Sequence, residues 1–147
     1  MTLKTPTAVQ YSRLQEAFDY FNKALFAGQL PACLITLQRQ RKTMGYASYN
    51  RFRNDPGDTV DEIAMNPEYF GPGEATLIDI LSTLVHEMAH IWQYHYGNPG
   101  RGRYHNAEWA DKMEEIGLMP SNTGRPGGKR TGDNMSDYPI ENGAFLQ

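Results

Sequence analysis

The chain has 147 residues and ordinary apolar content, which fits one domain with a buried core. Its net charge of −3 argues against a dedicated nucleic-acid binder, since such proteins usually carry a basic balance. Cys33 is the single cysteine, which excludes an internal disulfide and any zinc site built from several cysteines. The sequence has neither an apolar run long enough to span a bilayer nor an apolar signal segment in residues 1–9, so we expect a cytoplasmic protein without membrane association.

The first part of the chain predicts one helix followed by three strands. Apolar residues recur at helical spacing over about residues 8–27, and Gly28 then ends the helix. Short apolar or aromatic stretches follow at residues 33–38, 44–50 and 60–65, with a turn-rich segment before the third. This spacing predicts a small, largely antiparallel sheet.

A long central helix is predicted at about residues 74–96. Two apolar stripes cover much of its circumference, which is typical of a buried helix. His86 and His90 lie roughly opposite the first stripe, on the more polar side. The pattern therefore predicts a core helix that presents one polar strip.

The chain then reverses at a segment rich in glycine, residues 97–102, and enters a third helix at about residues 107–116. Beyond Pro120 the composition turns to glycine, proline, serine and charge. We expect an α+β domain over residues 1–120, in which the small sheet packs on a few helices. Residues 121–147 are expected to form a tail that is partly docked by its apolar side chains.

His86, Glu87 and His90 form a His-Glu-x-x-His motif inside the central helix. Residues four apart lie on one face of a helix, so both imidazoles can bind one Zn²⁺. Glu87 lies about 100° round the helix axis, where it can act as a general base on a metal-activated water. The alternative is a pair of core histidines satisfied by hydrogen bonds.

A catalytic zinc site usually has three protein ligands. His105 follows the flexible reversal and is the best candidate for the third, with Glu108 as the alternative and Glu114 or Glu115 as remoter ones. Its distance from His90 in sequence excludes the metzincin pattern. Carboxylates often orient such imidazoles, and Asp79 and Asp111 are the candidates for this role.

Beyond the motif, the chain resembles the SprT-like metalloproteases, the family of the animal protein Spartan, over about residues 14–118. The segments that carry the resemblance are residues 18–26, 28–31, 62–67, 84–93 and 104–109. The resemblance implies a minimal zincin-like fold, with His86, His90 and His105 as zinc ligands and Glu87 as the catalytic residue. It also implies a protein substrate and proteolysis in the presence of DNA, as in the repair of DNA–protein crosslinks.

Two features of the sequence bear on the DNA expectation. The zinc ribbon that often follows such domains cannot form with one cysteine. Basic residues nevertheless cluster in stretches 39–53 and 101–103, which are the candidate DNA contacts. Two other functions remain open at this point: a zinc-containing DNA- or protein-binding module without peptidase activity, and metal-dependent hydrolysis of a substrate other than a peptide.

Overall fold

Three α-helices and two small sheets make up the part of the chain that the computed structural model describes. That part comprises residues 5–39, 43–53, 59–71, 73, 75–102 and 104–147, with the backbone alone for residues 51–53. The helices are α1 (Pro6–Phe26), α2 (Leu77–Tyr96) and α3 (Ala107–Glu115). The strands are β1 (Cys33–Leu37), β2 (Gly45–Arg53), β3 (Thr59–Met65), β4 (Leu118–Ser121) and β5 (Ser136–Pro139). The predicted α+β class is confirmed.

Helix α1 begins two residues before the predicted position because of its N-terminal cap. The Thr5 hydroxyl accepts a hydrogen bond from the Ala8 amide, and Pro6 occupies the first turn, where a missing N–H costs nothing. The helix ends where Ala27 and Gly28 adopt positive φ angles of 53° and 72°. Leu14, Phe18 and Phe21 of its apolar stripe are buried, and Leu25 is partly buried.

The larger sheet has the strand order β1-β3-β2. Strands β2 and β3 are antiparallel, as predicted, but β1 and β3 are parallel, so the sheet is mixed. Met65 at the end of β3 lies beside both Leu37, the last residue of β1, and Gly45, the first residue of β2. The end of β1 and the start of β2 therefore lie at the same end of β3. Since β2 is antiparallel to β3, β1 must then run in the same direction as β3.

Helix α2 ends at Tyr96, as predicted, but begins at Leu77 and not near residue 74. Thr76 and Asp79 form a reciprocal capping box, in which each side chain accepts a hydrogen bond from the other residue's amide. The cap fixes the start of the helix. Glu74, which the prediction placed there, lies outside the described residues.

The core lies between the larger sheet and the three helices, and α2 is its central element. From Leu84 to Ala89, six consecutive residues of α2 are buried, and the two apolar residues of its first turn, Leu77 and Ile78, are exposed. The buried side chains from the other elements include Phe18, Phe21, Ile35, Ile63, Met65, Trp109 and Met113. No helix among the described residues is both long and apolar enough to cross a bilayer.

The C-terminal segment, residues 121–147, contacts several parts of the domain. Strand β5 pairs with β4 in antiparallel fashion. Phe145 is buried and its ring stacks on Phe21 of α1, with 5.5 Å between the ring centroids. Gly117 has a φ of 101° and approaches Phe145 so closely that a Cβ would lie 2.4 Å from the Phe145 nitrogen. The domain boundary at residue 120 stays a prediction.

Candidate metal centre

His86 and His90 project from the same face of α2, one turn apart. Their ring centroids are 5.1 Å apart. His86 and Glu87 are buried, and His90 is partly buried. The spacing that predicted a common face therefore places both imidazoles at the edge of the core.

His105 reaches the same point from the loop between α2 and α3. Its Nε2 atom lies 3.0 Å from Nε2 of His90. Ligand atoms from His86, His90 and His105 all lie within 4.8 Å of one another, a grouping that can hold a metal ion. Among the residues that the structure describes, no fourth histidine, cysteine, aspartate or glutamate joins this group.

The loop that carries His105 is fixed by a polar network around Gln93. Its side-chain amide donates to Asn106 Oδ1 at 2.7 Å and to Glu108 Oε1 at 2.9 Å. The same Glu108 oxygen accepts from the Asn98 backbone amide, and these bonds hold the pKa of Glu108 below its usual value. Glu108, the alternative third ligand, thus bonds to the loop and lies outside the histidine group.

The Nδ1 atoms of two imidazoles, His86 and His105, have hydrogen-bond partners from the C-terminal segment. His86 Nδ1 lies 2.8 Å from Asp137 Oδ2, and His105 Nδ1 lies 3.0 Å from the Gly132 carbonyl oxygen. The prediction that Asp79 or Asp111 orients these imidazoles is therefore wrong. Asp79 caps α2, and Asp111 pairs with Arg130 on the surface.

Trp109 of α3 forms the floor beneath the three imidazoles. Its ring centroid lies 4.9, 5.4 and 4.6 Å from those of His86, His90 and His105. The side chain is fully buried, and its Nε1 has no hydrogen-bond partner among the described residues. The indole therefore limits how far the imidazoles can rotate away from one another.

Burial and the neighbouring imidazoles keep two of the three imidazoles, those of His90 and His105, neutral. Burial, together with the neighbouring imidazoles, holds the pKa of His90 well below 6.5. Burial and the charge of His86 lower the pKa of His105 to about 4, although the Gly132 carbonyl opposes this shift. Neutral imidazole nitrogens are ligands for Zn²⁺ and similar divalent metals, so the donor set fits a metal ion of this kind.

His86 and Glu87 differ from the other two histidines because they are coupled to each other and to Asp137. Burial lowers the pKa of His86, but the charges of Glu87 and Asp137 outweigh this effect and raise it above 6.5. Burial raises the pKa of Glu87 above 4.5, against the attraction of His86. A buried carboxyl with a raised pKa is typical of a group that accepts and returns a proton.

His95, the fourth histidine of the chain, does not join the metal group. Its Nε2 lies 2.6 Å from Oδ2 of Asp61, a buried residue of β3. The other Asp61 oxygen accepts from the amide of Asn50, which has a φ of 52° at an irregular point of β2. This arrangement joins the sheet to the C-terminal part of α2.

The predicted DNA contacts fall mostly on residues without described side chains. Arg39 and Arg101 are described and exposed. The remaining basic residues of the two stretches lie outside the described part or have a described backbone only: Arg41, Lys42, Arg51, Arg53 and Arg103. Contact with DNA therefore stays a prediction.

Comparison with known proteins links this centre to one family. The sequence model of the SprT-like family matches residues 14–127, a region that contains all three histidines and Glu87. A protein of Salmonella typhimurium described as "Uncharacterized protein in mucB 3'region" is 50% identical over 64 residues, which make up 43% of this chain and 86% of that protein. The family match ends before Gly132 and Asp137.

Proposed function

The chain belongs to the SprT-like family, whose members are metal-dependent domains of the metallopeptidase type, and on that premise we propose that it is a zinc-dependent endopeptidase. In this proposal His86, His90 and His105 bind Zn²⁺, and Glu87 is the general base. The observation that carries the proposal is the meeting of three imidazoles at a helix that also bears a buried carboxyl.

A zinc ion held by the three histidines would supply a Lewis acid and lower the pKa of a bound water toward neutrality. The donor set supports zinc because it consists of three nitrogens, and three protein ligands are typical of catalytic sites that keep one position open. Structural zinc sites usually have four protein ligands, so the three-residue group favours the enzyme over a zinc-containing binding module.

In the proposed reaction Glu87 moves the proton. Its carboxylate accepts a proton as water attacks the peptide carbonyl, and then donates that proton to the departing amine nitrogen. The raised pKa of Glu87 suits both steps, because burial makes its carboxylate more basic than one in water.

The position of β2 supports a peptide as the substrate. It is an edge strand of the β1-β3-β2 sheet and packs against α2. An extended peptide can pair with the free edge of such a strand through backbone hydrogen bonds. This mode of binding recognises the peptide backbone more than any particular side chain.

The test compares Glu87→Gln with Glu115→Gln, which makes the same chemical change at an exposed position of α3. Zinc content is measured by metal analysis, and cleavage is followed with an unfolded protein such as casein. Glu87→Gln should keep zinc and lose cleavage by about 10²-fold or more, since it removes the general base. Glu115→Gln should cleave like the wild type. Cleavage by Glu87→Gln at the wild-type rate would contradict the assigned role.

A second experiment addresses DNA. The zinc-loaded protein is incubated with a DNA-binding protein, free and on DNA, with and without added single-stranded DNA. If DNA-associated proteins are the substrates, the DNA-bound protein should be cleaved faster than the free one. A zinc-loaded wild type that cleaves none of these proteins would contradict the peptidase proposal and favour a zinc-containing binding module.

A further inference from the structure

One short part of the C-terminal segment contacts two of the three histidines. We propose that Asp137 is a positioning residue, which holds His86 in the orientation and tautomer that a metal ion requires. The proposal rests on the proposed metal site, but it concerns a residue outside the region that the family model matches.

The geometry of the pair is that of a buried hydrogen bond between an imidazole and a carboxylate. Asp137 Oδ2 lies 2.8 Å from His86 Nδ1, and the two side chains are 8% and 11% exposed, respectively. With the proton on Nδ1 donated to the carboxylate, the lone pair of Nε2 is free for the metal. A carboxylate in this position also makes the imidazole a more basic ligand.

The backbone around Asp137 is fixed by strand pairing. Asp137 lies opposite Pro120 in the β4–β5 ladder, and β4 follows directly after α3, which carries Trp109. Upstream, Gly132 and His105 form two backbone hydrogen bonds, with N···O distances of 2.8 and 3.1 Å. Residues 132–137 therefore hold His105 through the backbone and His86 through a side chain.

The contact from Asp137 is distinct from the exposed ion pairs that Arg130 of the same segment forms with two carboxylates of α3, Asp111 and Glu114. Arg130 pairs with Asp111 at 3.0 Å, but the Asp111 side chain is 71% exposed and lies on the surface of α3. An exposed ion pair of this kind contributes little to stability. Asp111→Asn is therefore a matched control, which loosens a contact of the same segment without touching a histidine.

The experiment measures the zinc dissociation constant of the full chain by competition with a chromophoric chelator. Loss of an outer hydrogen-bond partner typically weakens metal binding about 10–100-fold, and we expect this loss for Asp137→Ala, a smaller one for Asp137→Asn, and partial recovery for Asp137→Glu. Asp111→Asn should bind zinc within about twofold of the wild type. With Co²⁺ in place of zinc, the visible absorption bands should shift in Asp137→Asn and stay unchanged in Asp111→Asn.

Zinc affinity within about twofold of wild type in both Asp137→Ala and Asp137→Asn would overturn the proposal, and so would an equal loss in Asp111→Asn. If Asp137→Ala does not fold, the affinity and the Co²⁺ spectrum of Asp137→Asn decide the question. Because these measurements need no cleavage, they separate the two proposals. A wild type that binds zinc but cleaves nothing contradicts the peptidase alone, and one that binds no zinc overturns both.

Discussion

The Nε2 atoms of His90 and His105 lie 3.0 Å apart, although 15 positions separate the two residues in the chain. Because both imidazoles have lowered pKa values, this approach brings two neutral rings together and not two cations. A shared hydrogen atom can occupy the space between two such nitrogens in the metal-free protein, and a metal ion can replace it. Because the other proposed ligands lie on α2, replacing His105 tests whether the loop contributes to the proposed metal site.

We expect His105→Ala to bind less than one zinc ion per folded chain, because two imidazoles remain where three met. The affinity for zinc should fall by more than the factor of about 10–100 that is typical when a ligating imidazole loses its outer hydrogen-bond partner. Metal analysis after gel filtration measures the stoichiometry, and chelator competition measures the affinity.

The matched control is His95→Gln, since an amide can still donate to Asp61 while the imidazole is lost. This variant should keep full zinc content. Undiminished zinc in His105→Ala would show that His105 is not a ligand, and would redirect attention to Glu108.

Glu108→Ala tests whether that carboxylate fixes the loop or binds metal. The change removes the charged acceptor of the Asn98 amide and one of the acceptors of Gln93, so the free energy of unfolding should fall by about 1–3 kcal/mol. Zinc stoichiometry should stay at the wild-type value in the folded protein. Urea unfolding measures the first quantity and metal analysis the second.

Glu115→Ala supplies the comparison, because it removes a carboxylate on the same helix whose side chain is 68% exposed and paired with Lys112. Its effect on the free energy of unfolding should stay within about 0.5 kcal/mol. Zinc loss in Glu108→Ala together with zinc retention in His105→Ala would contradict the loop role of Glu108.

The sequence was sufficient for features that depend on local periodicity. Helix α2 could be predicted because its apolar residues repeat at helical spacing, and that spacing also placed His86 and His90 on one face. Its start could not be placed from apolar spacing, because it depends on the capping box between Thr76 and Asp79. A Thr-x-x-Asp pattern before an apolar run was the available signal.

Features that depend on distant pairing could not be predicted in the same way. Asp137 lies 51 positions from His86, in a segment without apolar periodicity, and its place follows from the register between β4 and β5. The parallel direction of β1 likewise depends on a distant pairing, because Leu37 at its end and Gly45 at the start of β2 both lie beside Met65. Trp109 stands four residues after His105, so its nearness to that histidine could be predicted from the sequence. No local pattern shows that its ring packs beneath all three imidazoles.

The lowered pKa of His105 predicts how the stability of the metal-free protein depends on pH. The ordinary pKa of a histidine is 6.5, and above this pH the His105 imidazole is neutral in both the folded and the unfolded state. Between pH 6.5 and about 4, the unfolded state binds a proton there and the folded state does not. The contribution of His105 to the free energy of unfolding therefore falls as the pH decreases through this range. His90, whose pKa is also lowered, acts in the same direction.

The measurement is urea unfolding at several pH values from 7 to 4 with a chelator present, on the wild type and on His105→Gln. Because glutamine does not titrate, the stability of His105→Gln should fall less steeply than that of the wild type over the window from pH 6.5 to about 4. Above pH 6.5 the difference between the two proteins should be constant. Parallel stability curves throughout would mean that His105 titrates alike in both states, and would contradict the lowering of its pKa by burial and by the charge of His86.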